Sequence, residues 1–424
     1  MNANVAVIGG GWAGCTAALA LAEAGVAVTL YEAGRVLGGR ARAVQLENEP
    51  LDNGQHILLG AYSQTLQLIE RLNPIAAPEG LWRLPLTLNQ PPDFSFSCSR
   101  LPAPLHLLVA LLGANGLSWR EKLTAARWAH GLLNSAHRAT DDLRVAQLTS
   151  GQPEKLNRLL WHPLCVSALN TPPETASARV FRDVIRAAFG GRNQHSDLLL
   201  PRRDLTTLLP APAAARITEL GGTVRPNCRV TAVEANARTV VLDTRDGKTA
   251  YSHVIIAVAP QHLAGLAAPI PELAPMLRGV AAYRYHPIAT GYVQYDPAFR
   301  LSKPLFALTA GPAQFVFDRG QSHAQAGLVA FVASAAEKLP ADWLDLAEAQ
   351  LRRFVDVGGS RWRRRIVEKQ ATYACVPGMT RPAVRTAHAR ILLAGDYIAG
   401  PYPATLESAT RSGVQSAGAL LEQL

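Results

Sequence analysis

The stretch VAVIGGGWAGCTAALALAEAGVAVTLYE, Val5 to Glu32, decides the fold of this chain. Its β-branched beginning predicts a strand, and the Ala- and Leu-rich run that follows the glycines predicts a helix. Gly25 ends this helix, and VAVTLYE predicts a second strand. Residues 5 to 32 are therefore predicted to form one β-α-β unit, which is typical of an α/β fold.

Three glycines inside this unit have the spacing GxGxxG, and an acidic residue closes the unit. We expect Gly9 to form a tight turn, Gly11 to let the backbone approach a pyrophosphate, and Gly14 to let helix and strand pack closely. The helix N-terminus offers unpaired N–H groups and positive potential to the phosphates. Glu32, at the end of the second strand, is placed to hold ribose hydroxyls. The pattern predicts a dinucleotide-binding site.

Length and composition favour two domains and an anionic ligand. The chain has 424 residues, of which 48% are hydrophobic, and single cores stop growing near about 250–300 residues. The formal net charge of +10 favours an anionic cofactor or an anionic membrane surface. The basic residues are scattered, apart from RWRRR at Arg361 to Arg365, so no nucleic-acid partner is predicted. We interpret that run as a solvated helix face, with a membrane-facing patch as the alternative.

The cysteines predict neither a metal site nor a disulfide framework. They are odd in number, far apart and without a CxxC pair, which is typical of buried reduced thiols in a cytosolic protein. The N-terminus has no basic region of the kind that precedes a signal peptide, and no uncharged run reaches the roughly 20 residues of a membrane span. The five residues are Cys15, Cys98, Cys165, Cys228 and Cys375.

A second glycine-rich motif, AGRVLGGRAR, begins just beyond Glu32. It resembles the RxGGR extension of the FAD-dependent amine oxidase and phytoene desaturase superfamily, in which it lies along the diphosphate and the ribityl chain. Near the C-terminus, LLAGDYIAGPYPATLESATRSG is similar to the flavin segment of that superfamily, although Ser408 stands where glycine is usual. The two motifs together predict FAD as the cofactor.

The stretch LDNGQHILLGAY, Leu51 to Tyr62, combines four polar side chains with an apolar run. In the same superfamily this segment runs under the isoalloxazine ring, so Gly54 would let the backbone approach the ring, and Gln55 and His56 would reach its reacting face. The stretch is similar to the bacterial hydroxysqualene dehydroxylase family. Three further segments resemble that family, namely Trp161 to Phe181, Leu198 to Ile217 and Phe315 to Gly320.

The resemblance covers essentially the whole chain, and it implies contacts to each part of FAD. Asp396 would hydrogen-bond the ribityl chain, the helix start near Thr405 would face the pyrimidine end of the flavin, and the backbone of Val230 would meet adenine. The predicted FAD-binding residues are Gly9, Gly11, Gly14, Glu32, Gly38, Gly39, Arg40, Arg42, Gly54, Val230, Gly395, Asp396, Thr405 and Leu406.

Family membership implies that reduced FAD removes the hydroxyl group of hydroxysqualene to give squalene. An allylic alcohol leaves as water only when it is protonated, and the resulting cation can then take a hydride. We predict that His56, beside Gln55, is the acid; the alternative is a neutral imidazole that only positions Gln55 or the flavin. Asp52 and Glu407 are interpreted as loop and helix-end structure. Six aromatic residues are candidates to line a tunnel and stabilise the cation, with at least half of them expected to be ordinary core instead: Tyr283, Tyr285, Tyr292, Phe306, Phe315 and Phe317.

The predicted architecture is a Rossmann-like FAD-binding domain of amine oxidase type with an inserted α+β substrate domain. The FAD domain is discontinuous and comprises residues 1–65, 196–262 and 386–424; the substrate domain comprises 66–195 and 263–385. Within the latter, Leu101 to Leu117 is either a buried helix pair or an entrance that dips into a membrane. In the second case the protein would be peripheral on the inner face of the cell membrane.

Two other functions remain open at this point. An isoprenoid desaturase would oxidise its substrate and reduce the flavin, and a prenyl-lipid-binding relative would keep the fold without flavin. The intact GGR and Gly-Asp segments argue against the second alternative. The single dinucleotide motif, if occupied by FAD, leaves the electron donor as either a separate reductase or a nicotinamide at an unrecognised site.

Overall fold

The computed structural model describes residues 3–47, 49–73, 80–133 and 143–424. The strands in these ranges are β1 Asn4–Ile8, β2 Ala27–Tyr31, β3 Ala43–Leu46, β4 Glu49–Asp52, β5 Leu58–Leu59, β6 Leu81–Leu84, β7 Thr87–Gln90, β8 Phe94–Ser97, β9 Leu198–Pro201, β10 Thr223–Arg225, β11 Val230–Ala235, β12 Val240–Thr244, β13 Gly247–Tyr251, β14 His253–Ile256, β15 Tyr285–Gln294, β16 Leu305–Ala307, β17 Phe315–Asp318, β18 Leu328–Ala333, β19 Trp362–Tyr373 and β20 Ile391–Leu393.

The α-helices in the same ranges are α1 Trp12–Glu23, α2 Ser63–Leu72, α3 Leu105–Gly113, α4 Trp119–Leu133, α5 Val145–Leu148, α6 Glu154–Leu156, α7 His162–Leu169, α8 Ala178–Phe189, α9 Leu205–Leu208, α10 Pro210–Glu219, α11 Pro260–Ala267, α12 Ala274–Ala281, α13 Arg319–His323, α14 Trp343–Arg352 and α15 Leu406–Leu421. A π-helical segment, Asn157–Trp161, leads directly into α7.

A five-stranded parallel sheet, in the order β10-β2-β1-β14-β20, forms the centre of the FAD-binding part. Val5 to Ile8 of β1 are all buried because the sheet is covered on both faces. Helices α1, α10 and α15 pack on one face, and β11 to β13 contribute to the core on the other. The predicted β-α-β unit is confirmed, and all five strands come from the three segments assigned to the FAD domain.

A hairpin joins β12 and β13 within the antiparallel sheet β11-β12-β13. Thr244 pairs with Gly247, so Arg245 and Asp246 form the loop and Gly247, at φ +106°, begins β13.

The substrate part is built on an antiparallel sheet in the order β16-β17-β18-β15-β19. The basic run Arg361 to Arg365 leads into β19, so its interpretation as a helix face was wrong. Trp362 to Arg365 pair with Gly291 to Gln294 of β15, and the arginine side chains are accommodated by ion pairs, Arg363 with two carboxylates of α14 and Arg361 with Asp296. The alternation of side chains along β19 then directs every second residue towards the interior.

A layer of helices packs beside this sheet. Helices α3, α4, α7 and α8 supply one continuous apolar core together with the π-helical segment. In Leu101 to Leu117 the structure has one helix, α3, of which Ala110 and Leu111 are buried while Leu105, Leu108 and Val109 are exposed. This mixed burial differs from the buried helix pair that one alternative predicted. Among the described residues, every helix is too short or too polar to span a bilayer.

Candidate active site

A cavity of about 1410 Å³ extends from the glycine-rich turn after β1 to the helical layer of the substrate part. It exceeds the about 300–1000 Å³ that is usual for drug-sized ligands, and it has room for a dinucleotide and a second molecule. The wall contains thirteen of the fourteen residues predicted to bind FAD, which are Gly9, Gly11, Glu32, Gly38, Gly39, Arg40, Arg42, Gly54, Val230, Gly395, Asp396, Thr405 and Leu406.

Gly14, the remaining predicted residue, lies behind the wall and has a packing role. A Cβ atom at this position would stand 1.8 Å from the carbonyl oxygen of Gly9, so only glycine lets α1 approach the turn. Gly11 differs, because its nearest neighbour for an added Cβ is Gly39 at 3.9 Å. The backbone at Gly11 therefore faces the open cavity at the N-terminus of α1, where a pyrophosphate is stabilised.

Glu32 closes the turn from the side of β2. Its two carboxylate oxygens accept the backbone N–H groups of Gly10 at 2.7 Å and Gly34 at 2.6 Å. Each oxygen keeps a second lone pair on the cavity side, which can accept a ribose hydroxyl. The Glu32 carboxylate therefore holds the glycine-rich turn in place, in addition to its predicted contact with ribose hydroxyls.

An ion pair joins the two motifs that resemble flavin segments. The guanidinium of Arg40 donates to Asp396 Oδ1 at 2.6 Å and to the carbonyl oxygen of Ala371 at 2.8 Å. Arg42 donates to the carbonyl oxygen of Gly39 and fixes the intervening loop. Residues that are 356 positions apart in the chain therefore form one wall of the cavity.

The N-terminus of α15 forms the next part of the wall. The Thr405 hydroxyl accepts the backbone N–H of Ser408, and the Ser408 hydroxyl donates to the carbonyl oxygen of Asp396. Serine at a position where the superfamily usually has glycine thus holds the Gly-Asp turn through its side chain. Glu407 accepts the backbone N–H groups of Gln64 and Thr65 at the start of α2, as its structural interpretation requires.

Gly54 and His56 lie in the segment predicted to contact the flavin ring. Gly54 has φ +124°, a conformation that strongly favours glycine. The carbonyl oxygen of Gly54 accepts a hydrogen bond from His56 Nδ1 at 2.8 Å, which leaves Nε2 as the ring's acceptor when the imidazole is neutral. Burial is the main cause that lowers the pKa of His56, and Arg40 adds to it. Both observations favour the neutral, positioning alternative over an acid.

Behind Gln55 lies a buried cation that sequence reasoning missed. The Arg319 side chain is fully buried, donates to Gln55 Oε1 at 2.9 Å and lies 3.5 Å from Asp52. Burial raises the pKa of Asp52, whereas Arg319 and the backbone N–H of Leu205 oppose that shift. The network explains the polar residues of the stretch: Asp52 anchors it, and Arg319 fixes the carboxamide of Gln55. Arg319 lies in the segment Phe315 to Gly320, FVFDRG, but the sequence alone does not show that it contacts Gln55.

A carboxylate from β19 also lines the cavity, and it was not among the predicted site residues. Glu368 accepts a hydrogen bond from Asn53 Nδ2 at 3.0 Å, one residue before Gly54. Glu368, Gln370, Ala371 and Thr372 of β19 all contribute to the wall. The helical interpretation of the preceding arginine run gave no reason to expect a cavity-lining strand here.

The far arm of the cavity is apolar. Two of the six candidate aromatic residues, Phe315 and Phe317, line the cavity. Tyr292 instead donates to the carbonyl oxygen of Asp52, and Phe306 packs in a separate core. Tyr283 and Tyr285 also lie outside the cavity wall. Helical residues supply most of this arm: Leu107, Leu111, Trp128, Leu132, Leu160, Trp161, Leu164, Val184, Ile185 and Phe189.

The fold and the site define a dinucleotide-dependent oxidoreductase. Residues 12–421 match the family described as flavin containing amine oxidoreductase, and the chain belongs to that family. The glycine cradle, the acidic residue after β2 and the paired Arg40 and Asp396 fit FAD. The protein is therefore an FAD-dependent oxidoreductase.

Similarity to known proteins extends over the full length. The chain is 26% identical to the hydroxysqualene dehydroxylase of Sinorhizobium fredii, across 100% of this chain and 99% of that protein. It is 25% identical to a probable zeta-carotene desaturase of Synechococcus elongatus, across 99% and 98% of the two chains. Among solved structures, an oxidoreductase from Methanosarcina mazei is similar with a TM-score of 0.76 at 14% identity, covering 99% of this chain and 100% of that one. This last likeness concerns the fold alone.

Proposed function

We propose that this protein catalyses the FAD-dependent reductive dehydroxylation of hydroxysqualene to squalene, a step in squalene and hopanoid biosynthesis. The observation that carries the proposal is the apolar arm, which is continuous with the flavin site and suits a long hydrocarbon chain. Full-length similarity to a hydroxysqualene dehydroxylase supports it. Reduced FAD, when bound, supplies the hydride in this reaction.

The protein's own residues orient the reactants and exclude water. Arg40 and Asp396 would hold FAD, and Gly54 would leave room for its ring. Phe315 and Phe317 line the substrate arm, where aromatic rings stabilise positive charge. Apolar side chains around them keep water from capturing the cation.

The alternative function is that of an isoprenoid desaturase, and the similarity to a zeta-carotene desaturase favours it as the second candidate. A desaturase needs the same apolar arm but no proton donor for a leaving hydroxyl group. The direction of electron flow therefore distinguishes the two functions.

The test is an anaerobic incubation of purified enzyme in both redox states with hydroxysqualene. We expect the reduced enzyme to form squalene while its flavin absorbance at the oxidised band returns, and the oxidised enzyme to leave the substrate unchanged. Products are identified by gas chromatography with mass spectrometry. A substrate that reduces the oxidised flavin and gains a double bond would assign the enzyme as a desaturase. A third outcome, binding of the lipid without either reaction, would assign a lipid-binding relative.

We further propose that the protein is cytoplasmic and binds the inner face of the cell membrane through α3 and the start of α4. Leu105, Leu108 and Trp119 are exposed there, with Arg120 next to the tryptophan. The opposite faces of the same two helices line the apolar arm, so a lipid substrate would enter directly from the bilayer.

Vesicles rich in phosphatidylglycerol test this surface. Leu111 is buried against the cavity, so the exposed pair Leu105→Asp and Leu108→Asp is the informative variant. We expect it to lose cosedimentation with vesicles while its flavin spectrum stays unchanged. Leu346→Asp, on the exposed side of α14, is the control and should bind like the wild type. Equal binding by all three proteins would contradict the membrane proposal.

The reaction consumes one hydride per turnover, and a second protein or a nicotinamide must restore reduced FAD. We propose a separate reductase, because the chain carries one GxGxxG unit and FAD would occupy it. Stopped-flow mixing of oxidised enzyme with NADH or NADPH tests this: rapid direct reduction of the flavin would favour a nicotinamide site on this chain.

A further inference from the structure

The cavity wall offers few groups that could give a proton to a leaving hydroxyl group. Among the described residues, the side chains of the wall that carry or can carry an acidic proton are Tyr31, Glu32, His56, Tyr62, Cys228, His262, Glu368, Asp396 and Tyr402. Most of these side chains contact other groups of the protein. Excluding them one by one leaves the candidate for the proton donor.

Two of the three carboxylates in the wall, those of Glu32 and Asp396, lie at the cofactor end of the cavity. Both oxygens of Glu32 accept backbone N–H groups of the glycine-rich turn, and Asp396 is paired with Arg40 at 2.6 Å. His262, on α11, packs beside β11, whose first residue Val230 is assigned to the adenine end. These groups therefore act on the cofactor side of the cavity.

The phenols and the thiol of the wall are either buried with a raised pKa or held by other groups. Burial raises the pKa of Tyr62 and of Tyr402. The Tyr402 hydroxyl donates to the carbonyl oxygen of Ala61, the Tyr31 hydroxyl shares a hydrogen bond with the Tyr251 hydroxyl, and Cys228 Sγ lies 3.8 Å from an Asp246 oxygen.

His56 and Glu368 remain, and both flank the Asn53–Gly54 peptide. Burial lowers the pKa of His56, and its Nδ1 proton is held by the Gly54 carbonyl oxygen. Glu368 Oε2 accepts from Asn53 Nδ2, Oε1 has a long contact of 3.5 Å with the backbone N–H of Gln370, and the Arg40 cation interacts with this carboxyl group. Glu368 therefore lines the cavity with one oxygen that lacks a short hydrogen bond, beside the segment predicted to contact the flavin ring.

We propose that Glu368 is the catalytic acid that protonates the hydroxyl group of the substrate. The inference rests on the proposed function. The carboxyl proton moves to the hydroxyl oxygen, the C–O bond breaks, and its electron pair leaves with the oxygen as water. The carbon then accepts a hydride supplied by reduced FAD, and solvent returns a proton to Glu368. A bound hydrocarbon chain expels water from the cavity, so that water does not compete for the cation.

Glu368→Gln tests the assignment, because the amide oxygen can still accept from Asn53 while the proton is lost. We expect anaerobic reoxidation of the reduced flavin by hydroxysqualene to slow by about 10²- to 10⁴-fold. Glu368→Asp keeps the acid and should recover part of the rate. Lys369→Gln is the matched control, since its exposed side chain lies on the opposite face of β19, and it should react like the wild type.

A second readout needs no turnover. Hydroxysqualene has no carbonyl group, so a protonated carboxyl band in the infrared difference spectrum of oxidised enzyme with and without substrate would come from the protein. We expect this band in the wild type and in Lys369→Gln, and its loss in Glu368→Gln. Persistence of the band in Glu368→Gln, or wild-type rates in that variant, would overturn the assignment of Glu368 alone. Failure of the wild type to form squalene would overturn the proposed function and this step with it.

Discussion

Replacement of Arg319 by methionine is expected to destabilise the protein severely, because this guanidinium is fully buried. Methionine occupies much of the same space but leaves the Asp52 carboxylate, 3.5 Å from the guanidinium, without a cation. It also removes the donors to Gln55 Oε1 and Gln325 Oε1. Removing one partner of a buried ion pair costs about 3–5 kcal/mol in the free energy of unfolding. We expect a loss in this range at neutral pH.

Urea unfolding followed by tryptophan fluorescence measures the effect. Arg216→Met removes an exposed arginine whose ion pair with Glu219 lies on the surface, and it should cost below about 1 kcal/mol. Adding Asp52→Asn to Arg319→Met removes the stranded charge, and we expect this second change to restore about 1–3 kcal/mol. If Arg319→Met costs no more than Arg216→Met, or if Asp52→Asn only adds to the loss, the reasoning about this network is refuted.

Three further predictions concern single residues. Gly14→Ala should abolish FAD binding, since its Cβ would stand 1.8 Å from the Gly9 carbonyl oxygen, whereas Gly279→Ala has open space and should keep the flavin spectrum of the wild type. His56→Ala should slow single-turnover reoxidation of the flavin by less than about tenfold. A loss of about 10²- to 10⁴-fold is typical of removing a general acid, and it would show that His56 is the acid after all. Burial lowers the pKa of His323 to about 2, so its contribution to stability is complete above the unfolded pKa of about 6.5 and is lost as the pH falls. Below that pH, the free energy of unfolding should fall by up to about 1.4 kcal/mol per pH unit more in the wild type than in His323→Gln. Equal pH dependence in the two proteins would contradict this.

The sequence predicts the first strand, helix and strand because the signals for them are local. β-Branched residues, helix-forming residues and glycines each act on their own neighbourhood, and Gly25 ends α1 where expected. The order of the sheet depends on β10, β14 and β20, which join from distant parts of the chain. Such pairings have no local signature, so they follow only from the resemblance to a known fold.

The candidate site divides in the same way. Gly9, Gly11 and Arg40 belong to contiguous motifs and could be predicted, and they lie in the cavity wall. Arg319 meets Gln55 across 264 positions, and Glu368 meets Asn53 across 315. A buried charge and its partner are recognised only when the fold brings them together. The arginine run before Glu368 also has no clear periodicity of its own, and its place in the fold comes from its pairing with the distant strand β15.

Isotope transfer to the product tests the central claim, that hydride passes from reduced FAD to the carbon that loses oxygen. The enzyme is reduced anaerobically in heavy water, which places deuterium at N5 of the flavin, and is mixed with hydroxysqualene for one turnover. We expect squalene with one deuterium at that carbon, because the proton that Glu368 donates leaves in water. Squalene without deuterium, or a product with an additional double bond, would contradict the account.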